Sequence, residues 1–202
     1  MTALARRFAT ILIVILAWAL PAGGAWAADD SDNIATAVTE QDGSHVFDFA
    51  WDINKRRSNA DVKDLNKAMA GARCTDCGAT AIAFQIVLVS GSPEVVAPIN
   101  QAIALNYECT GCGSTAEAYQ FVRVMPERVR FTGTGRAILD DVRDQLEALN
   151  DPSLTPLQIH EMVEAQKVRV LDVLNHELVV KSDPDASPDF LERRLFRDAD
   201  TG

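Results

Sequence analysis

The chain has 202 residues and a formal net charge of −10 at pH 7, with 19 lysines and arginines against 29 acids. Phosphate recognition needs clustered Lys and Arg, so nucleic acid and anionic lipid are excluded as expected partners, and protein is the partner class left.

Residues 1–27 read as a signal peptide. Arg6 and Arg7 give a positive start, Phe8 to Leu20 form an apolar run of 13 residues, and Ala25-Trp-Ala27 places small residues where a signal peptidase reads. A membrane-spanning helix needs about 20 apolar residues, so a retained anchor is the weaker reading. Cleavage after Ala27 removes two arginines and no acid, which leaves 175 residues and a formal charge of −12. That length suits a domain with a real core. The expectation is an exported protein (secreted, periplasmic or cell-surface) with no stable membrane insertion after cleavage.

Residues 28–33 are a polar leader. His45–Ile53 alternates, with Phe47, Phe49, Trp51 and Ile53 on one face and Asp48 and Asp52 on the other, which is the period of a half-buried strand. Ile34–Glu40 alternates more weakly, and Gln41-Asp-Gly-Ser44 between the runs supplies turn chemistry, so a β-hairpin is expected. From Asn59 or Asp61 to about Ala72, Val62, Leu65, Ala68 and Met69 recur at helical spacing.

The next stretch is duplicated. Cys74-Thr-Asp-Cys-Gly-Ala-Thr-Ala-Ile-Ala-Phe-Gln-Ile-Val-Leu-Val89 returns 35 residues later as Cys109-Thr-Gly-Cys-Gly-Ser-Thr-Ala-Glu-Ala-Tyr-Gln-Phe-Val-Arg-Val124. The likeness continues upstream in Asn66–Ala70 and Asn100–Ala104 after a one-residue gap. Such a period marks one supersecondary unit used twice. Thr80–Val89 and Thr115–Val124 read as helix on their alanines and as strand on Gln-x-Val-x-Val, and helix is preferred. Ser92-Pro-Glu94 starts another helix reaching about Tyr107. Short turns would then place both C-x-x-C pairs at one end of a bundle, with Gln85 and Gln120 buried at equivalent positions.

Arg128–Thr132 is a short strand and Gly133-Thr-Gly135 a loop. Ala137–Asn150 carries Ile138, Val142, Leu146 and Leu149 on one stripe. Thr155, Pro156 and Gln158 have capping-box spacing for a last helix to about Val180. The fold class expected is therefore mainly α with a small β-hairpin (α+β). It comprises a hairpin and tandem repeat domain over 28–132, a helical hairpin over 133–180, and a mobile acidic tail over 181–202.

The candidate site is Cys74, Cys77, Cys109 and Cys112, under three readings. Export favours structural disulfides, of which four cysteines allow three connectivities. Loop entropy gives about 2 kcal/mol for a bridge within a C-x-x-C and about 3.7 kcal/mol for one between copies. A Cys₄ zinc site fits the paired motif with Gly78 and Gly113 after each pair, although the 31-residue spacer exceeds the usual ribbon spacing of about 15–20. A redox dithiol is opposed by Asp76 inside the first pair. No other cofactor is called for, and no catalytic residue can be assigned. His160-Glu-Met-Val-Glu164 lacks the second zinc-ligating His. Asp183, Asp185, Ser187 and Asp189 imitate a calcium loop, but Pro188 and Arg194 occupy positions that need Gly and Glu. His45, His160 and His176 form no evident triad.

Asp42-Gly-Ser-His-Val-Phe47, followed by C-T-x-C-x-x-T-A-x-A-x-Q in both copies, resembles a family of exported bacterial proteins of unsettled function. Some members carry the label of peptide zinc metalloprotease protein. The likeness runs over about residues 33–180. This chain has no H-E-x-x-H, so protease activity does not carry over. The sequence thus points to an exported, cysteine-stapled structural or protein-binding module, with a Cys₄ zinc or thiol-redox protein as the alternative.

Overall fold

The computed structural model describes residues 32–57 and 61–181. The expected signal peptide, most of the expected leader and the expected tail from residue 182 on lie outside the described residues. Six strands alternate between two sheets: β1 (Asn33–Thr39), β2 (His45–Arg57), β3 (Leu65–Ala72), β4 (Gly78–Ser90), β5 (Ile99–Asn106) and β6 (Gly113–Met125). The odd strands form one parallel sheet in the order β1-β3-β5, and the even strands a second in the order β2-β4-β6. Each odd–even pair is one rung of a two-sheet parallel β-solenoid. Three rungs stack in register, as in Asn33↔Asn66↔Asn100 and His45↔Gly78↔Gly113.

This overturns the mainly α expectation. The helices expected over 59/61–72, Thr80–Val89, Ser92–Tyr107 and Thr115–Val124 give way to β3, β4, β5 and β6. The expected hairpin has its two strands, but they lie in different sheets, and each pairs with the next rung instead of with the other. The repeat unit is strand, turn, strand, and the described residues hold three copies. Asn33-x-Ala-x-Ala37 opens the first as Asn66-x-Ala-x-Ala70 and Asn100-x-Ala-x-Ala104 open the others.

The reason lies in where the strands are buried. On β3, Asn66, Ala68, Ala70 and Ala72 are buried while the intervening residues are partly open, a period of two carried by alanine. Ala35, Ala37, Ala68 and Ala70 pack between the sheets against Ala79, Ala81 and Ala83. A layer filled by methyl groups is narrow, and alanine is chosen there for size, against its helix preference. The central strand β4 is buried on both faces, so its hydrophobic run shows no alternation.

The other face of the second sheet is covered. After the short strand β7 (Val129–Phe131) come α1 (Gly133–Glu147) and α2 (Pro156–His176), then β8 (Leu178–Val180), which pairs antiparallel with β7. Ile82, Phe84, Ile86 and Leu88 of β4 form one core with Leu139, Val142 and Leu146 of α1 and Ile159, Val163, Val170 and Leu174 of α2. Gly133-Thr-Gly135 is the first turn of α1, capped by Thr132, whose hydroxyl accepts from the Gly135 amide. The capping box at Thr155 and Gln158 is present, with Pro156 behind it. Among the described residues no such layer covers the outer face of the β1-β3-β5 sheet, and all eight residues of β5 are exposed.

Candidate functional site

Each rung passes from its first strand to its second through five or six residues, the last four of which form a turn, and these turns stack. Gln41–Ser44 lies on rung one, Cys74–Cys77 on rung two and Cys109–Cys112 on rung three. The third position of every turn is left-handed, at φ 68° for Gly43, 50° for Asp76 and 69° for Gly111. That conformation favours glycine, and Asp tolerates it better than most. A side chain at Gly111 would also place its Cβ 2.1 Å from Asp76 Oδ1. Backbone bonds tie turn to turn. The Gly43 amide donates to the Thr75 carbonyl (2.9 Å), the Asp76 amide to Thr110 (2.8 Å), and the Gly113 amide to Cys77 (3.1 Å). Asp42 Oδ1 accepts from the Thr75 amide at 2.7 Å.

Stacking brings the four cysteines together at one end of the strands. The two motifs are related by a step along the solenoid axis. Cys74 is bridged to Cys77 and Cys109 to Cys112, so both disulfides lie within a C-x-x-C. The bridges between copies that loop entropy favours are not formed. The pairs nevertheless touch: Cys77 Sγ lies 3.3 Å from Cys112 Sγ, and Cys112 Sγ lies 2.9 Å from the Cys74 carbonyl oxygen. The sulfurs of Cys74, Cys77 and Cys112 all lie within 4.8 Å of one another. Their environments differ. Cys74 and Cys77 are 7% and 5% exposed, while Cys109 and Cys112, on the outermost rung, are half-buried.

Beside the turns, a cleft of about 390 Å³ is bounded by Ser44, His45, Cys77, Thr80, Thr115 and, from the helical layer, Pro156 and Ile159. The His45 ring lies over Gly78, where an added Cβ would come within 2.7 Å of its Nδ1. Its buried Nε2 has no hydrogen-bond partner among the described residues. Sequence reasoning placed no base near the sulfurs. The signal available was the rung-one turn Gln41-Asp-Gly-Ser44, which aligns His45 with Gly78 once three copies are counted instead of two.

No known protein family, curated protein or solved structure matches this chain. The chemistry of the site therefore rests on its own geometry.

The remaining candidates fall elsewhere. Gln85 and Gln120 do occupy equivalent positions, with Gln120 Nε2 donating to Gln85 Oε1 at 2.7 Å and Gln85 Nε2 to Asp52 at 3.3 Å. His160 and Glu164 share one face of α2 and meet β6. There Glu117 Oε1 pairs with His160 Nδ1 at 2.9 Å, and the Tyr119 hydroxyl sits between Glu117 and Glu164. Burial and the hydrogen bond to Glu164 push the Tyr119 hydroxyl far above its ordinary range. Neither Glu117 nor Tyr119 was legible as a partner of His160, because they stand 43 and 41 positions away in the chain. His176 pairs with Asp172, one turn back on its own helix.

Proposed function

We propose that the protein is an exported, disulfide-stapled binding module that docks a protein partner by strand addition at its third rung. The observation that carries the reading is an asymmetry between the two ends of the solenoid. Rung one presents inward carboxylates: Asp48 Oδ2 accepts from the Thr36 amide on the edge of β1 at 2.6 Å, and Asp52 lies two alternations further along β2. Inward charges of this kind blunt a sheet edge against pairing. Rung three carries Ala116 and Gln120 at the matching positions, so its edge is unguarded. Its outer face is apolar, with Ile99, Ile103 and Leu105 exposed by 40%, 44% and 62%. An extended segment laid along β5 would satisfy the open backbone groups and cover those side chains.

Export rests on residues 1–27, and two disulfides agree with an oxidising compartment. Among the described residues no helix is long and apolar enough to cross a membrane. A photo-crosslinking amino acid at Gln101 of β5, in the exported protein, is expected to trap a partner that the same group at Thr36 of β1 does not. The adduct should disappear on Ile103→Asp. Equal labelling from both edges, or an adduct indifferent to that substitution, rejects the docking edge.

A second reading has one observation in its favour, the convergence of three sulfurs within 4.8 Å, which on reduction suits a tetrathiolate zinc site with Cys109 as the fourth ligand. Stoichiometric zinc in protein purified without added metal would move all four cysteines to that site.

A further inference from the structure

We propose that the two stacked turns form a two-stage thiol–disulfide exchange site, in which a small dithiol opens the outer bridge and Cys112 then opens the inner one. The inference is independent of the docking edge. Three observations carry it. The outer bridge is half-buried and the inner one almost fully buried, so a reagent from solvent meets Cys109–Cys112 first. Cys112 Sγ already touches Cys77 Sγ at 3.3 Å, across the rung boundary. The parallel register that pairs Gly78 with Gly113 begins next to these cysteines, and the Gly113 amide donates to the Cys77 carbonyl at 3.1 Å. Strands so paired stand roughly 4.8 Å apart, inside the Cα–Cα range of about 4.4–6.8 Å that a disulfide spans, so a Cys77–Cys112 bridge is expected to need little backbone movement.

In the first step the dithiol passes two electrons to the Cys109–Cys112 bond. It leaves as its own cyclic disulfide, and its two protons end on the two cysteines. In the second, Cys112 gives up its proton to solvent and its thiolate attacks Cys77 Sγ. The Cys74–Cys77 bond breaks, the electron pair leaves on Cys74, and Cys74 takes up a proton. This second step is an exchange with no net oxidation. Its product is a staple between rungs two and three, with free thiols at Cys74 and Cys109. The attacking species is the Cys112 thiolate, so the exchange is expected to accelerate as pH rises.

The test is disulfide mapping. Folded protein given one equivalent of dithiothreitol, quenched in acid, alkylated and digested is expected to yield the Cys77–Cys112 linked peptide, with alkyl groups on Cys74 and Cys109. A Cys109→Ser variant, purified without reductant, should carry its single free thiol partly on Cys112 and partly on Cys74. In a Cys112→Ser variant the thiol should stay on Cys109, and excess reductant should open Cys74–Cys77 at least about tenfold more slowly than in the wild type. Alkylation confined to Cys109 and Cys112 in the wild type overturns the proposal. So does equal reduction of the inner bridge with and without Cys112.

Discussion

His160 is the side chain whose ionisation the fold changes most usefully. The carboxylate of Glu117, hydrogen-bonded to Nδ1, raises the His160 pKa, and Glu164 one turn along α2 adds to the effect. Lys167 pairs with Glu164 and, with Tyr119, holds the Glu164 carboxyl below its ordinary range. A group whose folded pKa exceeds its unfolded value stabilises most when protonated in both states. This contribution is therefore complete below about pH 6.5 and is lost as pH rises through the raised folded value. Denaturant titrations across pH 5–9 should show wild-type stability declining over that window, with the decline removed in His160→Gln. The His160 ring resonance should titrate above an ordinary histidine, and Glu117→Gln should return it to the ordinary value. A wild-type curve parallel to that of His160→Gln would rule out the pairing as a stabilising contact.

The asparagine ladder shows how one residue type holds an element together. Asn33 Nδ2 donates to Asn66 Oδ1, and Asn66 Nδ2 to Asn100 Oδ1, each at 2.8 Å. Each amide also reaches across to a carbonyl of the second sheet, at Phe84 (3.0 Å), Ala83 (3.1 Å) and Ala118 (2.9 Å) respectively. The ladder thus ties rung to rung and sheet to sheet at the point where each first strand begins. Asn66 is fully buried and has partners on both sides, whereas Asn100 stands at the exposed end. Removing the central amide leaves buried partners unpaired, which costs about 1–3 kcal/mol for each group left unsatisfied. Asn66→Ala is therefore expected to destabilise by about 2–3 kcal/mol and Asn100→Ala by about 1 kcal/mol or less, read from urea midpoints at constant m-value. Equal losses at the two positions would mean the ladder is not graded by burial.

At the scale of the molecule, a three-rung solenoid has few layers over which to spread its stability, and the staples act at one end. Each bridge closes a four-residue loop, so the chain-entropy account gives about 2 kcal/mol per bridge. Full reduction should lower unfolding stability by about 4 kcal/mol at most, and a chelator should leave the oxidised protein unchanged. Collapse on chelation without reductant would favour the tetrathiolate reading. The helical layer supplies the other anchor. Its core with Ile82, Phe84 and Ile86 closes one face of the solenoid, while Ile99, Ile103 and Leu105 on the opposite sheet are exposed among the described residues.

Local chemistry was enough to place some of this. Thr155-Pro-Leu-Gln158 capped α2 as read, because a capping box is satisfied within four residues. The period-two pattern from Phe47 to Ile53 identified β2, since its apolar face meets the helices and its other face does not. The C-x-x-C duplication placed the four cysteines in equivalent turns, and both disulfides formed inside those turns. The secondary structure of β3 to β6 was decided elsewhere. Ala68, Ala70, Ala81 and Ala83 favour helix in isolation, and only the narrow space between two parallel sheets selects them as strand residues. β4 lost its alternation because helices cover one face and the first sheet the other. Parallel pairing across 33 to 35 residues leaves no local trace, unlike a hairpin, so the pairing of the rungs and the Cys77–Cys112 contact emerge only from the stack, although the Asn-x-Ala-x-Ala opening at Asn33 already marked a third copy.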